Sequence, residues 1–156
     1  MSELQDPTIT AREAVPTAVI RESVSVDGLA DFYDRAYGAV AETLGRQGVQ
    51  PAGAAFGYYL SMPTERFELE AGFPTGAPIA PDGDVVGSEL PGGTVARATH
   101  VGGYDSLGDS WDALVAWAAE QGRTPEGRMW EVYVTEPTPQ MDPATLRTDL
   151  FLLLAD

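Results

Sequence analysis

The sequence predicts an α+β fold made of two copies of a βαββ unit, with an antiparallel sheet and two main helices. Three observations predict it. A heptapeptide of the form QGxxPxG occurs twice, as Gln47–Gly53 and as Gln121–Gly127, 74 residues apart. A strand–helix–strand–strand pattern surrounds each copy, and a proline- and glycine-rich stretch separates the two patterns.

The elements follow in order. Residues 13–24 carry Val15, Val19, Ile20 and Val24 and read as a strand. From about residue 28 to 47 the period becomes helical, with Phe32, Ala36, Val40 and Leu44 four residues apart and Tyr33, Tyr37 and Ala41 alongside. Asp27 or Asp31 is the expected N-cap, Gly48 stands where a left-handed C-terminal residue belongs, and Pro51 bars continuation. Residues 54–62 and 66–73 read as two strands joined by a turn at 63–65. The second places Phe67, Leu69, Ala71 and Phe73 on one face and Arg66, Glu68 and Glu70 on a face expected to be solvated. Residues 74–93 hold Pro74, Pro78, Pro81 and Pro91 with five glycines, and form the joint, interrupted by an extended piece at 84–88. The pattern then restarts with a strand at 94–101 and a helix at 106–120 that puts Leu107, Trp111, Leu114, Val115 and Ala118 on one side. Strands at 128–135 and 148–154 complete it.

The two units align residue by residue. At the 74-residue offset Tyr37 matches Trp111, Phe56 matches Trp130, Gly57 matches Glu131, Tyr59 matches Tyr133, and Met62-Pro63 matches Glu136-Pro137. Repeat one therefore spans about 12–74 and repeat two about 94–155. Each is roughly 65 residues, marginal as an independent core, so the halves are expected to form one domain over 1–156.

Composition excludes several functions. The 156 residues carry 24 acidic against nine basic side chains, a formal charge of −15, and all nine basic residues are Arg. A nucleic-acid surface needs clustered cations, so none is expected. There is no Cys and a single His, His100, which leaves no thiolate chemistry, no disulfide and a poor donor set for metal; no cofactor or metal is expected. His100, at a strand end beside Gly102 and Gly103, reads as structural. The first ten residues lack the cationic and apolar parts of a signal peptide, and the longest apolar run, 150–155, falls far short of the roughly 20 residues of a membrane span. A cytoplasmic protein without membrane contact is expected.

Three passages resemble the GyrI-like small-molecule-binding domains, among them the effector domains of multidrug-responsive transcription activators. His100 to Leu107 (HVGGYDSL), followed by Trp111 and Leu114, is similar to the family's HxGxYxxL strand-to-helix passage. Gln121-Gly122 to Pro125 is similar to its helix exit, and Trp130 to Pro137 (WEVYVTEP) to its acidic strand ending at a proline. With the duplication, the likeness covers about residues 12–155. The resemblance implies a tandem βαββ fold with a ligand cleft between the halves, where aromatic walls and one buried Glu accept varied, mainly cationic organic molecules. By its place in the motif that Glu is Glu131. No residues outside the repeats remain for a helix-turn-helix, so a stand-alone ligand binder is expected rather than a transcription activator.

The residues support the same reading. Alternation puts Trp130, Val132 and Val134 on one face of their strand, and Glu131, Tyr133 and Thr135 on the other. A Glu between Trp and Val is out of place on an inner strand; buried, its charged form is disfavoured until a ligand cation arrives. Tyr133 and Tyr59, and Trp111 and Tyr37, are paired by the repeat, and with Tyr33 and Phe151 they are the candidate aromatic contacts. The leading function is binding of amphipathic, mainly cationic aromatic molecules, for sequestration or sensing. Two alternatives stay open. One is a hydrolase of strained electrophiles, as some similar proteins are, with Glu131 as general base and Tyr59 or Tyr133 donating to the developing anion. The other is an acidic protein-interaction role of the gyrase-inhibitor kind.

Overall fold

A computed structural model of the chain describes residues 4–60, 66–103, 106–135, 142 and 145–155. The expected turn at 63–65 lies outside these residues, as do Met62 and Glu136-Pro137 of the repeat match and Tyr104-Asp105 of the strand-to-helix passage. The chain divides into two units, residues 13–92 and residues 1–12 with 93–156. Both are α+β, each with an antiparallel four-stranded sheet and one main helix.

The first-repeat unit contains β2 (Val15–Ser25), α1 (Leu29–Gln47), β3 (Phe56–Tyr59), β4 (Arg66–Pro74) and β5 (Val86–Leu90), with the sheet order β3-β4-β2-β5. Helix α1 follows a 3₁₀ turn at Val26–Gly28 and buries Phe32, Ala36, Val40 and Leu44, the stripe its four-residue spacing foretells. Neither Asp27 nor Asp31 caps it. Gly28 is the N-cap without a side-chain bond, because the 3₁₀ turn already leads the chain into the helix; Asp31 instead sits in the first turn, where its charge favours the helix dipole. At the other end Gly48 takes the left-handed conformation (φ 68°), and the Val49 N–H donates to the Leu44 carbonyl at 2.9 Å, closing the helix in a Schellman arrangement.

In β4, Leu69 and Ala71 pair with Glu22 and Ile20 of β2 and turn to the α1 side, where Tyr37 meets Phe73. Gly72 is required by contact. A Cβ there would lie 1.9 Å from the Ala18 carbonyl oxygen, so the two strands pack closer than any side chain allows.

The second-repeat unit contains β1 (Leu4–Arg12), β6 (Gly93–Val101), α2 (Leu107–Glu120), β7 (Pro125–Tyr133) and β8 (Arg147–Leu154), ordered β1-β6-β8-β7. Ser110, Trp111, Leu114 and Ala118 form the buried side of α2, while Leu107 and Val115 are half-buried. The edge strands are exchanged relative to chain order. β1 precedes repeat one but pairs with the first strand of repeat two, while β5 precedes repeat two and pairs with the first strand of repeat one. Strand β1 was not expected; β5 is the extended piece foreseen within the joint. A register shift between Gln5 and Thr8, with Asp6 at φ 55° beside Pro7, breaks the β1 edge and so discourages a further strand from adding there. No described helix is long and apolar enough to cross a membrane.

Candidate functional site

Register decides which side chains of the second-repeat unit can meet. Glu131 lies opposite Leu150 and Tyr133 opposite Thr148, while Trp130 lies opposite Phe151. Glu131, Tyr133, Thr148 and Leu150 therefore share the face on which α2 packs, and Trp130 and Phe151 share the other.

On the α2 face Glu131 is 4% exposed. The indole N–H of Trp111 donates to its Oε1 at 3.2 Å, and the Tyr133 hydroxyl donates to its Oε2 at 3.3 Å. Trp111 is buried and Tyr133 half-buried, so the carboxylate sits at the N–H edge of the indole and within reach of the phenol hydroxyl. Moving a carboxylate this far from water costs several kcal/mol, in real proteins roughly that much per ion, unless donors and countercharge compensate. Both named donors are neutral and both bonds fall at the long end of the normal range. Near them the Thr148 hydroxyl is fully buried, and its Oγ1 has no hydrogen-bond partner among the described residues. Sequence reasoning missed Thr148, because nothing about an isolated Thr signals the orphaned hydroxyl.

His100 stands on the same face and is fully buried. Its Nε2–H donates to the Gly103 carbonyl at 2.9 Å, so in the neutral ring Nδ1 accepts from the Ser110 hydroxyl at 2.6 Å. This ties the end of β6 to α2, the structural role expected of it.

The first-repeat unit carries the remaining candidates. Tyr33 and Tyr37, one turn apart on α1, stack with centroids 5.6 Å apart and planes 9° from parallel. The Tyr33 and Tyr59 hydroxyls lie 3.0 Å apart, and the Tyr37 hydroxyl donates to the Phe56 carbonyl at 2.8 Å. Gly57 and Tyr59 alternate onto the α1 side as Glu131 and Tyr133 alternate onto the α2 side. The position of the carboxylate is thus a glycine in the other repeat. The structure brings Trp111, Tyr133 and Glu131 together, and Tyr33, Tyr37 and Tyr59 together.

Phe151 is apart from Glu131, on the opposite face of its sheet. It stacks on Trp130 at 5.4 Å and 8°, under the guanidinium groups of Arg12 and Arg97.

The face of β4 expected to be solvated is so only in part. Glu68 is exposed, but Glu70 is 1% exposed. Arg21, directly across on β2, donates to Glu70 Oε2 from Nε at 2.9 Å and also from Nη2, while the Ser88 hydroxyl of β5 donates to Oε1 at 2.7 Å. The edge strand and the arginine together shut this carboxylate from water. Among the described residues no three His, Asp or Glu side chains gather to hold a metal ion.

The GyrI-like small-molecule-binding domain family matches residues 5–155. Among solved structures, the C-terminal domain of EcmrR superposes with a TM-score of 0.82 at 15% identity, covering 96% of this chain and 97% of that one. EcmrR in its DNA complex gives a TM-score of 0.82 at 16% identity; the match takes in 99% of this chain but spans only 58% of that chain's length. SAV2435 bound to tetraphenylphosphonium superposes with a TM-score of 0.66 at 11% identity, over 97% and 94% of the two chains. At these identities the likeness is one of fold. No curated protein matches the chain in sequence.

Proposed function

Because this chain belongs to the GyrI-like family of small-molecule-binding domains, we propose that it binds organic cations with flat or bulky aromatic bodies, setting the positive charge against Glu131. The observation that carries this reading is the Glu131 carboxylate itself, 4% exposed and held by Trp111 and Tyr133. In so dry a setting an incoming cation offsets the desolvation of the carboxylate, while a neutral molecule of the same shape does not. Aromatic faces supply the rest. Each cation–π contact with Trp111 or Tyr133 contributes about 0.5–2 kcal/mol and demands little of ligand shape.

The stacked Tyr33 and Tyr37 rings, with Tyr59, offer aromatic area suited to the same class of ligand. SAV2435, whose fold this chain shares, was captured with tetraphenylphosphonium, a bulky aryl cation. The chain acts by sequestering or sensing such molecules. Co-crystallisation with a fluorescent cationic dye tests the reading. The expected result is the dye's charged centre within about 4–6 Å of the Glu131 carboxylate; a dye seated elsewhere overturns it.

A further inference from the structure

The sheet face of the second-repeat unit that turns away from α2 carries an unusual group of side chains. Arg97 lies across from Phe151, and Phe151 from Trp130, so one row crosses three strands. Arg12, at the end of β1, extends over the same rings, its guanidinium carbon 4.9 Å from the Phe151 centroid and 5.3 Å from that of Trp130. The Arg97 guanidinium carbon is 5.3 Å from the Phe151 centroid. Two like charges thus share one aromatic ring.

They are not equivalent. Arg97 donates to Asp149 at 3.2 Å, and Asp149 also accepts from the Thr99 hydroxyl at 2.8 Å. Arg21, Arg35, Arg46 and Arg128 likewise meet carboxylates. Arg12 meets none among the described residues, although acidic side chains outnumber basic ones 24 to nine. Its Nε is buried without a hydrogen-bond acceptor. Burial, and then the neighbouring Arg97, push the Arg12 guanidinium below its ordinary pKa. Rings attract a guanidinium but give its N–H groups no acceptor in their plane, which a planar oxyanion does.

We infer that Arg12 and Arg97, laid over Phe151 and Trp130, form a binding site for a compact oxyanion, a carboxylate or a phosphate group. The forked guanidinium of Arg12 is the main donor, while Arg97 adds charge but is partly neutralised by Asp149. The site is separate from Glu131, which faces the other side of the same strand.

Inorganic phosphate and acetate are titrated separately into the full chain at ionic strength held constant with chloride, following the Arg12 Nε–H signal by NMR and the affinity by calorimetry. The expected result is a saturable Nε–H shift with at least one of the two anions. Phosphate alone marks a phosphate site, and acetate acting equally well marks a carboxylate site. Arg12→Gln is expected to weaken binding about tenfold or more, about 1.4 kcal/mol per decade. Asp149→Asn, which releases Arg97, is expected to tighten it several-fold and serves if Arg12→Gln fails to fold. Neither anion outperforming chloride, an Arg12→Gln chain of unchanged affinity, or an Asp149→Asn chain that binds no tighter each overturns the inference.

Discussion

Trp111 and Glu131 meet at 3.2 Å, the indole N–H of α2 donating to a carboxylate near the C-terminal end of β7. One bond therefore joins helix to sheet at the point where the unit holds a charge away from water. Trp111→Phe removes the donor and leaves the carboxylate short of one partner, which costs about 1–3 kcal/mol. When Glu131→Leu is combined with it, the penalty shrinks, since no stranded acceptor remains. Urea unfolding of the two single variants and the double variant measures the coupling, and additive losses would refute the contact.

The Arg21–Glu70 pair is unequal, because the arginine side chain is 61% exposed and the glutamate 1%. Loss of the exposed partner strands a buried charge, whereas loss of the buried partner frees an arginine that water solvates. Arg21→Met is thus expected to cost about 3 kcal/mol, and Glu70→Leu clearly less. Denaturant midpoints for the two variants compare them directly.

Gly72 permits β4 and β2 to approach, with the Ala18 carbonyl in the place of its missing side chain. Gly72→Ala must push the strands apart, at a cost at the upper end of the roughly 1–3 kcal/mol typical of overpacking. Thermal unfolding reads this. Gly45→Ala on α1, where a Cβ meets nothing within 4 Å, is the control and is expected to stabilise slightly.

At the start of β7, Glu126 accepts from Arg128 Nε at 2.9 Å, and that bond holds its carboxyl below the usual glutamate pKa. A lowered folded-state pKa adds stability above the unfolded value, and this is lost as pH falls through the folded one. The pair is exposed, so the amount is small, about 0.2–1 kcal/mol. Stability measured from pH 6 down to pH 3 is expected to fall less steeply in Glu126→Gln than in the parent chain.

Much of this architecture was legible from periodicity. The four-residue spacing of Phe32, Ala36, Val40 and Leu44 predicts α1, and the repeated QGxxPxG predicts a second unit before any strand is placed. Strand β1 escaped detection because an edge strand exposed along much of its length needs no apolar alternation, and Pro7 argues against it. The fate of Glu70 was hidden for a related reason. Its partner Arg21 is 49 residues away and its lid, Ser88, lies on a strand inside a loop-like stretch. Within the candidate site, alternation alone puts Glu131 and Tyr133 on one face, and the family motif singles out the acid. Phe151 fell on the other face because the register between β7 and β8 sets its parity, and nothing local to residue 151 reveals that register.

The central claim is that charge at position 131 selects cations. Calorimetric titration of tetraphenylphosphonium and of a neutral aryl compound of similar size into the parent chain and Glu131→Gln tests it most directly. Cation affinity is expected to fall by about 2–5 kcal/mol, the range for truncating one partner of a buried charge pair, while the neutral compound changes little. Equal losses for both ligands, or a cation that binds the variant as tightly as the parent, would contradict it.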